Sequence, residues 1–508
     1  MKPGGRRTGI GAPKAQAPAK PGPCSVAAWL PGKESSAAAL QLRGFRGALF
    51  VSRFRFYVVQ TALPPNNVFG PVAHKFMHRG QSLHRRDAPI NSEAVKITPT
   101  PRGTRDRMPL EAAELRSLEA AMRRVFSSYG YGEVMTPTLE MEASLEPAGE
   151  GKLGRSFRLF DEHGDVLVMR PEMTVPIARL VATRMSERQL PLRLCYFANS
   201  FRPTRPQRGR QAEFSQAGLE LIGIDSAAAD AEVLAMMSQV IAACGLQDYT
   251  IGLGEASFFR ALLDSAGVTG ADRDAVFAAL MDKNLVQLSR VVGGLDISDD
   301  DRQAIMEIST LRGGSDVLTR AQDLVRGPAM DAALKRLART YYLVSRYGFA
   351  DRILFDLGII RDFAYYTGVV FEVLSSGIGF PLGGGGRYNN LLARYGRPAP
   401  AVGFALGLDR LHIVASRQGD VAVERTPAVV LAGGLDDAME LAGELRSAGV
   451  SVYSIPGDWD LQTARRIAIE NDIGFVALVS GGGVQLLDVE SDEARNLEGE
   501  GLVAALMT

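Results

Sequence analysis

Gln216 and Glu220 stand two positions either side of Gly218 in the run Phe214-Ser-Gln-Ala-Gly-Leu-Glu220. At period two, Phe214, Gln216, Gly218 and Glu220 share one face of a strand, and Ser215, Ala217, Leu219 and Leu221 share the other. A strand that carries an amide and a carboxylate among apolar neighbours has to pair them, because an unpaired buried polar group costs free energy. The glycine between them leaves room for something to lie against the sheet. The run before it, Tyr196-Phe-Ala-Asn-Ser-Phe-Arg202, alternates in the same way and places Tyr196, Ala198, Ser200 and Arg202 on one face. Together they read as two strands joined by a loop, the floor of a polar pocket for a small ligand. The loop carries Arg202, Arg205, Arg208 and Arg210, with no acid until Glu213. Such a loop either meets an anion or is simply solvated.

Phe201-Arg202, followed by a loop and Phe214, resembles motif 2 of class II aminoacyl-tRNA synthetases. Gln216-Ala-Gly-Leu-Glu220 resembles histidyl-tRNA synthetase and also its paralogue, the regulatory subunit of ATP phosphoribosyltransferase. The resemblance runs from about Pro99 to the C-terminus. It implies a histidine-binding site made of Glu172, Thr174, Arg202, Gln216, Glu220, Arg361, Tyr365, Tyr366 and Tyr388. The chemistry suits that ligand. Carboxylates such as Glu172 hold an ammonium, Glu220 and Gln216 meet the imidazole N–H and the ammonium, and arginines hold the carboxylate by charge-assisted bonds. Tyrosines close the apolar sides and offer a hydroxyl. Any one of these residues alone is better read as a structural polar group of a sheet; the full set in order is not. Gly383–Gly386, ahead of Arg387-Tyr388, lacks phosphate-loop spacing and reads as tight strand packing beside the pocket.

Departures from the synthetase pattern separate the two relatives. Motif 2 of the synthetase runs Phe-Arg-x-Glu, whereas Thr204 holds the fourth position here. The first histidine-specific motif, Arg-Gly-Leu-Asp-Tyr-Tyr, becomes Arg361-Asp-Phe-Ala-Tyr-Tyr366, with Ala364 in place of the acid and Asp362 in place of the glycine. In the second motif the usual Asp-Gly becomes Asn389-Asn390. Adenylation needs a preorganised electrostatic site, so these changes strike catalysis more than amino-acid recognition. Arg202, Arg361 and the motif 3 Arg410 are kept, and histidyl-tRNA synthetase remains the alternative, with a non-catalytic histidine sensor behind it. The regulatory-subunit reading implies no catalytic residue, no cofactor and no metal. Its partners are the short-form catalytic subunit of ATP phosphoribosyltransferase, a second copy through the synthetase-like core, and L-histidine, with neither tRNA nor membrane.

Composition agrees. The 508 residues exceed one core, so two to four domains are expected. Formal net charge is zero, which argues against a protein devoted to nucleic acid. Cys24, Cys195 and Cys244 show no paired spacing, and only His163 and His412 lie outside the N-terminal segment. That pattern suits a reducing, cytoplasmic setting and argues against metal chemistry.

Residues 1–95 are rich in Arg and Lys, with Glu34, Asp87 and Glu93 as the acids, and carry no sustained helical stripe. They read as a disordered extension or as sequence upstream of the true start, and ordered structure there is not expected. The remainder reads as α+β: a class II synthetase-like antiparallel sheet with flanking helices over 96–256 and 346–420, a helical insertion over 257–345, and a small α/β domain over 425–508. A helix over Leu110–Ser128 followed by a strand Val134–Pro137 resembles motif 1, the family's dimer element. A hairpin is expected at Phe157–Phe160 and Val166–Met169, and Ala401–Leu411 resembles motif 3. The last domain sits where the synthetase binds its anticodon, yet from Arg425 to Thr508 it holds five basic and fourteen acidic residues. An RNA-binding surface needs a positive footprint.

Overall fold

The computed structural model describes residues 49–52, 55–58, 99–145, 156–203, 211–359, 366–419, 421, 428–455, 459–481 and 483–507. The chain divides at Lys96 into two units. In the first, β1 (Leu49–Ser52) pairs antiparallel with β2 (Arg55–Val58), Leu49 opposite Val58. The segment is dense in aromatic and β-branched residues, which favour strands. The rest of residues 1–95 lies outside the described residues.

The second unit opens on α1 (Pro109–Ser128), which starts with proline in its first turn and buries Leu115, Leu118, Ala121, Met122 and Phe126 on one side. A short strand β3 (Gly132–Glu133) follows. The expected strand over Val134–Pro137 is displaced to these two residues. Val134 adds one backbone bond to Cys195. Beyond it the Thr136 and Pro137 carbonyls accept from the Arg170 guanidinium, at 2.7 and 3.2 Å, instead of from a strand. Next come β4 (Leu139–Met141), α2 (Glu142–Leu145), β5 (Arg158–Phe160) and β6 (Val166–Met169), and the three strands form an antiparallel sheet in the order β4-β6-β5. The expected hairpin is thus present, one residue shorter at its start.

Then follow α3 (Thr174–Arg184), β7 (Leu192–Phe201), β8 (Glu213–Ile222), α4 (Ala227–Ala243) and β9 (Thr250–Glu255). The insertion holds α5 (Ala256–Ser265), α6 (Gly270–Met281), α7 (Leu285–Gly293), α8 (Asp299–Thr310), β10 (Arg312–Gly313), α9 (Asp316–Asp323) and α10 (Pro328–Arg346). It is helical as expected, except that β10 adds two residues to the edge of the main sheet. The core resumes with β11 (Ile353–Asp356), β12 (Val369–Leu374), β13 (Gly383–Arg387), β14 (Ala401–Gly407) and α11 (Leu408–Gln418).

The nine strands run β10-β11-β9-β12-β13-β14-β8-β7-β3. The six from β9 to β7 are mutually antiparallel, while β11 and β3 add parallel to the edges. One face carries Ala217, Leu219, Leu221 and Phe404 into a core shared with Phe126 of α1 and with α4 and α11. The other face carries Tyr196, Val370, Tyr366 and Tyr388 into a second core with Val175, Ile177 and Val181 of α3.

Fully buried polar groups pin the helices to the sheet. Arg387 of β13 donates through Nε to Asp230 Oδ1 (2.7 Å) and through Nη1 to the Ile224 carbonyl (3.0 Å) and Asn389 Oδ1 (3.1 Å). Arg336 of α10 donates to the other Asp230 oxygen at 3.1 and 3.0 Å. Asn389 in turn donates to Asp225 (3.0 Å). The asparagine that replaces the synthetase's aspartate therefore both accepts from Arg387 and donates to Asp225. An aspartate there could not donate and would face a like charge.

The C-terminal part consists of β15 (Ala428–Gly433), α12 (Leu435–Ser447), β16 (Ser451–Ser454), α13 (Leu461–Glu470), β17 (Phe475–Ser480), β18 (Gly483–Asp488), β19 (Ala494–Glu498) and α14 (Gly499–Met507). Its sheet order is β16-β15-β17-β18-β19, parallel on one side of β17 and antiparallel on the other. Leu441, Leu445, Leu502 and Leu506 of α12 and α14 pack on one face, Ala464 and Ala468 of α13 on the other.

Candidate amino-acid-binding site

The face of the sheet that carries Glu220 is rich in glycine. Tyr196 lies opposite Gly218, which lies opposite Ala405. Glu220 lies opposite Gly403, Gly403 opposite Gly386, and Gly386 opposite Val370. Each glycine is covered by a large side chain. A Cβ on Gly218 would stand 2.4 Å from the Tyr196 hydroxyl oxygen, and one on Gly386 would stand 2.8 Å from the Tyr366 ring. A Cβ on Gly403 would overlap the Glu220 carboxylate. The space beside Gly218, read from the sequence as room for a ligand, is thus filled by Tyr196. The alternation is as expected: Gln216, Gly218 and Glu220 share a face with Tyr196, Ala198 and Ser200.

Four of the expected site residues form a connected cluster. Glu220 is 2 % exposed and accepts from the Tyr388 hydroxyl, itself 3 % exposed. Thr174, at the start of α3, lies beside both carboxylates and opposes the rise in pKa of each. Glu172 accepts from the backbone N–H of Thr174 (2.7 Å) and of Val175 (2.8 Å). The sequence reading gave this carboxylate to a ligand ammonium. In the structure both its oxygens hold the first free N–H groups of α3, where a negative charge is favoured. Tyr366 is buried beside them over Gly386. Gln216 accepts from Ser200 Oγ at 2.8 Å, which leaves its amide N–H₂ as the donor end.

Arg202 donates through Nε to the Pro171 carbonyl (2.9 Å), and its guanidinium lies 5.6 Å from the Phe214 ring centroid. The arginine expected to hold a ligand carboxylate is thus tied to the backbone beside Glu172, and its charge offsets part of that carboxylate's burial. Arg361 and Tyr365 lie outside the described residues, as do Thr204, Arg205, Arg208, Arg210, Asp362 and Ala364. Arg410, the motif 3 arginine, donates to the Pro381 carbonyl and lies 4.9 Å over the Phe380 ring.

Burial pushes the Glu220 carboxyl up to about 8, opposed by the Tyr388 hydroxyl and by Thr174 and reinforced by Glu172. Burial also raises Glu172, against the N–H bonds that lower it. Two acids and two tyrosines thus meet at the sheet, with Arg202 as the cation acting on Glu172. Such a cluster favours a ligand that brings N–H donors or positive charge. Tyr196 was on the expected face but was not singled out as a site residue. The signal for it was the glycine opposite, which a strand needs when a large side chain lies across it.

The raised Glu220 has a consequence for pH. Its native pKa lies above its unfolded value, so below about 4.5 both states are protonated. As pH rises toward 8 the unfolded state ionises first, and native stability falls. Glu220→Gln keeps an oxygen for Tyr388 and cannot ionise. The variant's stability relative to wild type is therefore expected to rise by about 3–4 kcal/mol between pH 5 and pH 8. Denaturant titrations of both proteins across that range check this, and a difference constant with pH would contradict the burial of an ionisable Glu220.

The antiparallel sheet, the buried polar cluster on its face and the helical insertion define a class II synthetase-like protein, and residues 103–411 match the family model described as histidyl-tRNA synthetase. ATP phosphoribosyltransferase regulatory subunits are similar over most of their length. That of Moorella thermoacetica is 42% identical over 357 residues, covering 69% of this chain and 90% of its own, and that of Desulforamulus reducens is 39% identical over 356 residues, covering 69% and 88%. A solved ATP phosphoribosyltransferase regulatory subunit/histidyl-tRNA synthetase from Bacillus halodurans superimposes with a TM-score of 0.66 at 32% identity, covering 75% of this chain and 98% of its own. Histidyl-tRNA synthetase from Nostoc sp. shares the fold, with a TM-score of 0.68 at 22% identity and coverage of 81% and 99%. The chain belongs to the family of ATP phosphoribosyltransferase regulatory subunits, which is built on the histidyl-tRNA synthetase fold.

Proposed function

We propose that this chain is the non-catalytic subunit of a two-protein ATP phosphoribosyltransferase. It binds the short-form catalytic subunit, is required for its activity in the first step of histidine biosynthesis, and contributes to feedback by histidine. The observation that carries this reading is family membership at 42% identity over nearly the whole length of a regulatory subunit. The site supports it. The buried amino-acid cluster around Glu220 is assembled, whereas the sequence puts Thr204 and Ala364 where adenylation needs acids. The acidic C-terminal domain supports the absence of tRNA binding: its α12 opens with Asp436 and Asp437 and continues through Glu440 and Glu444.

L-histidine is the ligand that fits the pocket, and regulation follows by linkage. Histidine shifts activity only as far as it binds the active and inhibited assemblies with different free energies. A homodimer through the synthetase-like core is supported by the sheet of β4, β6 and β5, where Leu139, Met141 and Leu159 are exposed on one face, with Met135 and Phe160 exposed close by in sequence, at 82% and 74%. No described helix is long and apolar enough to cross a membrane, and a cytoplasmic setting follows from the histidine-biosynthetic role. Size-exclusion chromatography of this chain with a purified short-form catalytic subunit tests the assembly. Co-elution at micromolar concentration, ahead of either protein alone, is expected; separate elution would contradict it.

A further inference from the structure

Glu255 closes β9 where the helical insertion leaves the sheet, and it is 2% exposed. It lies opposite Val369 of β12, in the core that the sheet shares with α4 and α10. Its side chain caps α5: one oxygen accepts from the Ser257 N–H (3.2 Å) and from the Ser257 hydroxyl (2.6 Å). The other oxygen, Oε2, is buried and has no hydrogen-bond partner among the described residues. The charges around it are already matched. Asp230 of α4 takes Arg387 of β13 and Arg336 of α10, and Arg336 also meets Asp225 at 2.7 Å. Arg260 of α5 feels Glu255, Asp264 and Arg273 together without bonding Oε2. An ionised Glu255 would therefore set a second buried anion beside Asp230, with one oxygen unpaired. Burial lifts its carboxyl to about 7, opposed by Ser257 and Arg336 and reinforced by Asp230.

We infer that Glu255 is a proton-operated latch: with its proton it fastens the helical insertion to the sheet, and without it the junction of β9 with α5 and α10 loosens. The neutral acid still accepts from Ser257 and brings no charge into the core. The ionised acid needs water or a cation at Oε2, and either one requires α5 or α10 to draw away from β9. The insertion begins at α5 and ends at α10, so this one residue stands at both of its attachments. Arg336 of α10 also leads through Asp230 to Arg387, so loosening would reach the network that holds α4 to the sheet. The sign follows from the direction of the shift. The ordinary carboxyl value is 4.5, and the folded value lies above it. The latch is therefore at full strength below about 4.5, weakens as pH rises, and has given up its contribution above about 7.

The experiment is amide hydrogen exchange of the full chain at pH 5 and pH 8, corrected for the pH dependence of the intrinsic rate, on wild type and on Glu255→Gln. Protection of α5 and α10 in wild type should fall by more than about tenfold relative to β8, which shares any effect of Glu220. In Glu255→Gln, which keeps an acceptor for Ser257 and cannot ionise, that relative fall should vanish. Glu255→Met, which also cannot ionise, should behave in the same way. Wild-type protection of α5 that follows β8 at both pH values would overturn the latch. A fall of the same size in either variant would place the titrating group elsewhere and overturn it too. Failure of both variants to fold at pH 5, where the wild-type acid is already neutral, would also count against it, because a neutral side chain at this position should then suffice.

Discussion

Asp230→Ala is expected to destabilise the synthetase-like core by about 3–5 kcal/mol, the cost of leaving buried charge unpaired. Asp230 is fully buried in the first turn of α4 and divides its two oxygens between Arg387 of β13 and Arg336 of α10. Arg387 is 1% exposed, and without Asp230 its guanidinium keeps the Ile224 carbonyl and Asn389 but no buried counter-charge. The damage should reach the pocket, because the next residue, Tyr388, is the donor to Glu220. Asp230→Asn, which keeps one acceptor, should fall between wild type and Asp230→Ala. Denaturant unfolding followed by a signal from the core measures this. A loss below about 1 kcal/mol would mean that Arg387 finds water or another acid, and that the network does not fasten α4 and α10 to the sheet.

The core fold was legible because its signals are local. Period-two alternation in β7 and β8 gave the faces of both strands, and the glycine run of β13 gave close strand packing. What was not legible depends on contacts distant in sequence. Glu172 looks like a free carboxylate until α3 is seen to begin two residues later with its N–H groups pointing at it. Gly218 looks like ligand space until Tyr196, on the neighbouring strand, is placed across it. The motif 1 strand ends early because Arg170, far along the chain, holds the Thr136 and Pro137 carbonyls. In the last domain, Gly483–Asp488 and Ala494–Glu498 are strands separated by a turn rich in acids. Their apolar residues, Val484, Leu486, Leu487 and Leu497, are too few to signal strands without the neighbour β17.

Asn389 joins the two levels. From sequence it was a lost acid, counted against adenylation. In the structure it is a donor to Asp225 and an acceptor for Arg387. The departure from the synthetase pattern therefore has a structural use in this chain.

The central claim is that this fold serves a partner's catalysis and performs none of its own. The direct measurement is phosphoribosyl-ATP formation by a purified short-form ATP phosphoribosyltransferase, assayed with and without this chain, with histidine-dependent ATP–pyrophosphate exchange run in parallel on this chain alone. Activity should rise by more than about tenfold on mixing, a coupling within the usual span between two sites, fall when histidine is added, and be accompanied by no exchange. An unchanged transferase rate together with robust pyrophosphate exchange would contradict the claim and identify the chain as a working histidyl-tRNA synthetase.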